Sequence, residues 1–109
     1  MTGFRSGNSA TRERLPPTHP GDVLREDFLK PLGMTPYRLA QGIGIAEFEV
    51  EEILDGRRSI TANTALRIAR FTRTSPEFWM NLQAHYDLEI ERNKLAGDLI
   101  SIRPYERAA

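Results

Sequence analysis

The sequence predicts an all-helical fold. Two observations support this prediction: a pair of residues that can start a helix occurs twice, and apolar residues recur at helical spacing. At Thr35 and again at Ser75 a hydroxyl residue precedes a proline, and a hydroxyl side chain can cap a helix whose first residue is proline. Behind each start, apolar residues recur three and four positions apart, which places them on one face of a helix. These patterns predict five helices, near residues 20–30, 36–43, 45–54, 62–73 and 76–94.

The predicted helices begin and end at residues with a clear local reason. Pro20 fits the first turn of a helix, where its missing N–H costs nothing, and Pro31 is expected to end that helix. Gly44 supplies a left-handed turn after the second helix, Gly56 ends the third, and Thr61 caps the fourth. The residues expected in the shared core are Ala40, Ile43, Val50, Ile53, Leu66 and Trp79.

Length and composition predict a single domain. At 109 residues the chain is long enough for one hydrophobic core and too short for two. Residues 1–18 have no apolar period and are expected to form a flexible arm, residues 19–94 the helical domain, and residues 95–109 a short C-terminal tail. Two conformations fit residues 99–102 equally, namely a short strand and a tail that a partner chain orders.

The composition excludes several classes of function. Without cysteine the chain has no disulfide framework, no thiolate metal site and no cysteine nucleophile. His19 and His85 are far apart, and no acidic cluster has ligand spacing, so we expect no metal site. Nucleotide-binding glycine loops and nucleophile elbows are missing from the sequence, so we expect neither a cofactor nor an enzyme. No stretch approaches the roughly 20 apolar residues of a membrane span, and we expect a cytoplasmic protein.

The spacing between four residues indicates a helix-turn-helix. These residues are Ala40, Gly44, Val50 and Ile53. The small Ala40 lets the second helix of the domain cross its neighbour closely, and Gly44 takes the positive φ of the turn. The two β-branched residues then seat the recognition helix on the core. Any three-helix bundle can also place alanine and glycine here, but the cap signals favour a helix-turn-helix within residues 19–94.

Several runs of sequence resemble the HigA-type antitoxins, which are members of the lambda-repressor-like helix-turn-helix group. The resemblance covers residues 19–88. It is carried by residues 19–27 (HPGDVLRED), 54–58 (LDGRR), 64–69 (TALRIA) and, most specifically, 74–83 (TSPEFWMNLQ) with 86–88 (YDL). The resemblance implies a homodimer that binds the operator DNA of its own gene pair. It also implies that the chain binds and silences a partner toxin of the RelE-like, ribosome-dependent ribonuclease type.

In a helix-turn-helix, side chains near the start of the recognition helix and one turn further on reach the bases. The candidate DNA-binding residues are Arg38, Gln41, Ala46, Glu47, Phe48, Glu51, Glu52, Arg57 and Arg58. The acids on this face, which Asp55 extends, depart from the family, whose members mostly carry Ser, Arg, Thr or Asn there. Carboxylates repel phosphates, although a single glutamate can accept a hydrogen bond from a cytosine amino group. Phosphate contacts are therefore expected mainly from the arginines.

The net charge of zero conceals a strong segregation of charge along the sequence. Residues 31–56 hold five acids and one base, whereas residues 57–73 hold five arginines and no acid. Three of those arginines, Arg67, Arg70 and Arg73, form a stripe on the fourth helix. They form either a solvated face or ion pairs with the glutamates of the third helix.

Two functions compete at this point. The first is a HigA-like antitoxin and autoregulator of transcription, and the second is a helix-turn-helix scaffold that has lost DNA reading and serves as a protein-binding module. For a homodimer we expect contacts from residues that are apolar beyond the needs of so small a domain. They are Tyr86, Ile90, Leu95, Leu99, Ile100 and Ile102.

Overall fold

A computed structural model describes residues 17–106, which form five helices and contain no strand. The first, α1 (residues 20–32), is α-helical at Pro20–Val23 and Lys30–Leu32 and π-helical at Leu24–Leu29. The others are α2 (Pro36–Ile43), α3 (Glu47–Leu54), α4 (Ala62–Thr72) and α5 (Pro76–Ser101). The predicted all-helical fold with five helices is confirmed, while the predicted flexible arm lies almost wholly outside the described residues.

Four of the five predicted helix starts are confirmed in atomic detail, and the third helix is the exception. Thr35, Thr61 and Ser75 each accept, through the side-chain oxygen, the backbone N–H of the residue three positions on, at 3.0 to 3.3 Å. These bonds satisfy N–H groups that have no partner within the helix. At the start of α1, the Nδ1 atom of His19 does the same for the N–H of Gly21 at 2.9 Å.

The prediction that Pro31 ends the first helix is wrong by two residues, because α1 continues to Leu32. In an α-helix the ring of Pro31 would press on the carbonyl of Asp27, four residues back. Here the turn before the proline is widened, and the N–H of Lys30 bonds to the carbonyl of Arg25, five residues back. The wider turn accommodates the proline, and the helix ends at Gly33, whose φ is 62°.

The last helix is longer than predicted. Instead of ending at residue 94, α5 reaches Ser101, so residues 95–101 of the predicted tail are helical. Gly97 costs only about 1 kcal/mol in a helix interior, and its neighbours are mostly good helix formers.

The third helix is shorter than predicted. It begins at Glu47 rather than residue 45, because Ala46 is extended, with φ −69° and ψ 145°.

The core brings together one face of every helix. Its fully buried side chains include Trp79, whose indole Nε1 donates to the Oγ1 atom of Thr74 at 2.7 Å. Five of the six predicted core residues are confirmed: Ala40, Ile43, Val50, Ile53 and Trp79.

The placement of Leu66 in the core is wrong, since that residue is 59% exposed. The buried face of α4 consists of Ala65, Ile68 and Ala69. Leu66 lies about 100° around the helix from Ala65 and on the edge away from Ile68. Ile68, rather than Leu66, is the large side chain that α4 contributes to the core.

Candidate DNA-binding surface

The helix-turn-helix consists of α2, a tight turn and α3. Gly44 has φ 75°, and the N–H groups of Gly44 and Ile45 both donate to the carbonyl of Ala40, at 2.8 and 3.2 Å. Behind the turn, α3 buries Val50 and Ile53. The sequence-predicted roles of the small residue, the turn glycine and the two seating residues are therefore confirmed.

The outer face of α3 places most of the predicted reading residues side by side. Ala46, Glu47, Phe48, Glu51 and Asp55 are exposed, and Glu52 is half-buried. Phe48 is 58% exposed, and the guanidinium of Arg58 lies 5.8 Å from the centre of its ring. A short helix that offers this face to solvent has the geometry that enters a major groove.

The loop after α3 folds two arginines back over its acids. Arg58 pairs with Glu52 at 2.7 Å and lies 3.9 Å from Glu49, and Arg57 pairs with Asp55 at 3.0 Å and lies 3.8 Å from Glu52. The side chains of Arg57 and Arg58 are 61% and 41% exposed, so these pairs are weak and exchangeable. The two arginines best placed for phosphate thus share three of the five acids when DNA is absent, and they offset two of the five negative charges.

The alternative that the α4 stripe pairs with these glutamates is wrong for the part of the chain that the structure describes. Arg67, Arg70 and Arg73 form no ion pair within residues 17–106. Instead, Arg57 and Arg58, in the loop directly after α3, pair with the acids of that helix.

Glu47 and Glu51 differ from the other acids of α3. Within the described residues neither forms an ion pair, and both are exposed. Glu47 occupies the first turn of α3, where the positive end of the helix dipole stabilises a carboxylate. These two residues, four positions apart on one stripe, keep the reading face negative.

The two α2 candidates lie on the exposed side of that helix. The guanidinium of Arg38 lies 5.6 Å from the centre of the Phe71 ring, and Gln41 Nε2 donates to the hydroxyl of Tyr37 at 2.9 Å. Tyr37 is 55% exposed and extends this polar edge. Sequence reasoning missed Tyr37, although its position one turn before Gln41 is the signal that identifies it.

The predicted dimer residues separate into two groups on α5. Tyr86 and Ile90 are half-buried, and the Tyr86 ring packs edge-on against the ring of His19 with centroids 4.8 Å apart. Further on, Leu95 and Leu99 are 37% and 47% exposed and lie on one stripe. That stripe also contains Leu88, whereas Ile100 lies on another side of the helix and is 84% exposed. Ile102 follows the helix with an extended backbone and is exposed.

His19 is a buried histidine with a structural role. Burial lowers the pKa of its imidazole below the ordinary value, and the charges of Asp22 and Asp87 act in the opposite direction. The neutral ring is also the form whose Nδ1 can accept the Gly21 N–H.

Among residues 17–106, no group of three or more His, Asp or Glu side chains is arranged to hold a metal ion. No helix in that range is both long and apolar enough to cross a membrane.

Comparison with known proteins adds independent findings. An addiction-module antidote protein of a HigA family from Coxiella burnetii has 41% identity and a TM-score of 0.79, over 84% of this chain and 100% of that one. The antitoxin HigA of Pseudomonas aeruginosa, solved with the higBA promoter, has 34% identity and a TM-score of 0.79, over 83% and 99%. Antitoxin HigA-1 of Vibrio cholerae is 32% identical over 88 residues, 81% of this chain and 83% of the relative. No protein-family model matches the chain.

Proposed function

The chain belongs to the HigA family of antitoxins, and from that premise we propose that it binds the operator DNA of its own gene pair as a transcriptional autoregulator. Its relatives are antitoxins and helix-turn-helix regulators, and it is not an enzyme. The proposed site of action is the cytoplasm, where that DNA lies.

The observation that carries the proposal is the outward face of α3 with an arginine pair directly behind it. The face is open to solvent at Phe48 and Glu51, both of which are exposed. Arg57 and Arg58 lie in the loop directly after the same helix, and exposed arginines beside a recognition helix are the usual phosphate contacts. Their ion pairs with Glu52 and Asp55 are solvent-accessible, so phosphates can replace the carboxylates at little cost.

In protein–DNA interfaces, some side chains bind phosphates and others contact bases, and we expect the same two roles here. Arg57, Arg58 and Arg38 would hold phosphates, and Gln41 and Ala46 would lie beside the groove edge. Phe48 can contact a thymine methyl group, and Glu47 or Glu51 can accept from a cytosine amino group. We expect the affinity for the operator to be weaker than is usual for the fold, because the exposed carboxylates of Glu47 and Glu51 repel the phosphates.

The proposal includes a homodimer, because a single helix-turn-helix contacts few phosphates and gains affinity by spanning two half-sites. The proposed contact is the exposed stripe of Leu95 and Leu99 on α5, with Ile100 beside it and Ile102 directly after the helix. Tyr86 and Ile90 would contribute from the middle of α5, where they are already half-buried.

The second part of the proposed function is neutralisation of a RelE-like ribonuclease toxin, which family membership supports. The test is co-expression of this chain with the small basic protein encoded beside it. Growth should be restored when both are present, and the two should elute together in gel filtration. Continued growth arrest with no common elution would contradict this part of the proposal.

The alternative is a protein-binding scaffold that no longer reads DNA, and the exposed acids Glu47 and Glu51 on the reading face favour it. A gel-shift assay decides between the two functions. The full chain should retard a fragment of its own upstream DNA at low salt, and it should retard a shuffled fragment of equal length at least tenfold less well. If neither fragment is retarded, even with a Glu47→Gln and Glu51→Gln double variant, operator binding is refuted and the scaffold becomes the favoured function.

A further inference from the structure

An arginine on α4 reaches across the domain to the turn of the helix-turn-helix. The Nη1 atom of Arg67 donates to the carbonyl of Ile43 at 2.8 Å and lies 3.4 Å from the carbonyl of Gly44. Its Nε atom donates to the Oδ1 atom of Asn63 at 2.7 Å, so the guanidinium is held in place from its own helix. A Cβ at Gly44 would lie 3.1 Å from Nη1, so the turn and the arginine are in close contact.

The two carbonyls lie where α2 ends, and they carry the negative end of its helix dipole. Carbonyls in the last turn of a helix have no partner within the helix, and a charged donor bonds to them more strongly than a neutral one. The guanidinium donates to Asn63 from Nε and to the turn from Nη1, in fixed directions that the single ammonium nitrogen of a lysine cannot reproduce. Arg67 therefore fixes the end of α2 relative to α4.

A second arginine does the same at the far end of the helix-turn-helix. Arg25 on α1 donates through Nη1 to the carbonyl of Leu54, the last residue of α3, and through Nη2 to Asp22 at 2.7 Å. Beside it, a Cβ on Gly21 would lie 1.9 Å from the carbonyl oxygen of Ile53. The C-terminal end of α3 is thus held against α1 by the same kind of contact.

We propose that Arg67 and Arg25 are positioning residues for DNA reading: they fix both ends of the turn-and-α3 unit and so set how strongly the operator is preferred over other DNA. Neither is on the reading face of α3, and the proposal rests on the proposed operator binding. A loosened α3 still meets phosphates through Arg57 and Arg58, but it presents its side chains to the bases at varied angles. Loss of either positioning residue therefore lowers specific binding and leaves non-specific binding nearly unchanged.

The first test measures the turn itself and needs no DNA. Amide hydrogen exchange is followed in the full chain for Arg67→Met and for Arg70→Met as the matched control, because Arg70 is near Arg67 on α4 and its side chain is exposed. We expect at least fivefold faster exchange at Gly44 and Ile45 in the first variant only, with exchange at Ile68 unchanged. Equal exchange in both variants would overturn the claim that Arg67 holds the turn.

The second test compares affinities for the upstream operator and for shuffled DNA. Arg67→Met should reduce the ratio of the two affinities about tenfold, Arg67→Lys should restore part of it, and Arg70→Met should leave it unchanged. Arg25→Met should resemble Arg67→Met. If Arg67→Met weakens both affinities equally and flattens the salt slope by about 0.9, Arg67 binds a phosphate and the positioning role is refuted.

The two tests separate failure of this inference from failure of the proposed function. A wild-type chain that binds no upstream DNA contradicts the proposed function, while the exchange experiment still decides whether Arg67 orders the turn. A wild-type chain that binds its operator with an unchanged specificity ratio in the Arg67 and Arg25 variants contradicts the inference alone.

Discussion

At the scale of single residues, Gly21 illustrates how backbone contacts decide the fold. A Cβ at this position would lie 1.9 Å from the carbonyl oxygen of Ile53 and 2.8 Å from its carbon, so the start of α1 lies directly on the end of α3. Sequence reasoning identified Pro20 as the helix start, but it had no means of seeing this contact. The contact joins residues far apart in the chain, and only the packed structure brings them together.

Replacing Gly21 by alanine should destabilise the fold by about 1–3 kcal/mol or more, because the added methyl forces α1 away from α3. Gly97→Ala is the matched control, since a Cβ there meets nothing within 4 Å and the residue lies inside α5. That control should gain about 0.5–1 kcal/mol, as glycine is costly in a helix. Urea unfolding followed by circular dichroism measures both, and equal effects of the two changes would contradict the close packing of α1 on α3.

His19 predicts a dependence of stability on pH. Because burial lowers the pKa of its imidazole in the folded state, the unfolded chain takes up the proton first as the pH falls. The contribution of the neutral ring to stability is complete above about 6.5, the ordinary histidine pKa, and is lost as the pH falls through the folded-state value.

The matched variant is His19→Asn, which keeps a side-chain acceptor for the N–H of Gly21 and cannot be protonated. Between pH 7.5 and 5.5, the free energy of unfolding should fall more for the wild type than for the variant. His85 is present in both proteins, so the difference isolates His19. A wild type that gains stability relative to the variant on acidification would refute a neutral, buried His19.

At the scale of helices, the capped starts and the ends of α2 and α3 were predictable, whereas the start of α3 and the ends of α1 and α5 were not. Thr35, Thr61 and Ser75 act on the next three residues of the chain, so their caps could be read locally. The end of α1 depended on a widened turn before Pro31, and the end of α5 on the tolerance of a helix for Gly97. Neither the widening nor the tolerance has a sequence signal as sharp as a cap.

The exposed end of α5 predicts the oligomeric state. Multi-angle light scattering of the full chain should give twice 12.4 kDa. Leu99→Asp should dissociate the dimer, because it places a charge in the middle of the apolar stripe, and Ile100→Asp should have a smaller effect because Ile100 lies on another side of the helix. Deletion of residues 95–109 without dissociation of the dimer would show that the interface lies elsewhere.

At the scale of the whole molecule, a formal net charge of zero conceals an uneven distribution, with five acids and one base in residues 31–56 and five arginines in residues 57–73. The segregation along the chain was visible in the sequence, but which arginines meet the acids of α3 was not. Those of α4 were candidates for that role, and the loop residues Arg57 and Arg58 take it instead. The reading face therefore stays negative without DNA, and Arg57 and Arg58 become available to phosphates only when these pairs open.

The measurement that tests operator recognition most directly is the slope of log affinity for the upstream operator against log salt, for the wild type, Arg58→Ala and Glu51→Gln. We expect wild-type binding that weakens steeply with salt, a slope that is flatter by about 0.9 in Arg58→Ala because one phosphate is no longer bound, and tighter binding for Glu51→Gln. Specific binding that disappears in Glu51→Gln would show that this carboxylate reads a cytosine and would contradict the electrostatic account of the surface. Absence of binding by all three proteins at low salt would contradict operator recognition itself.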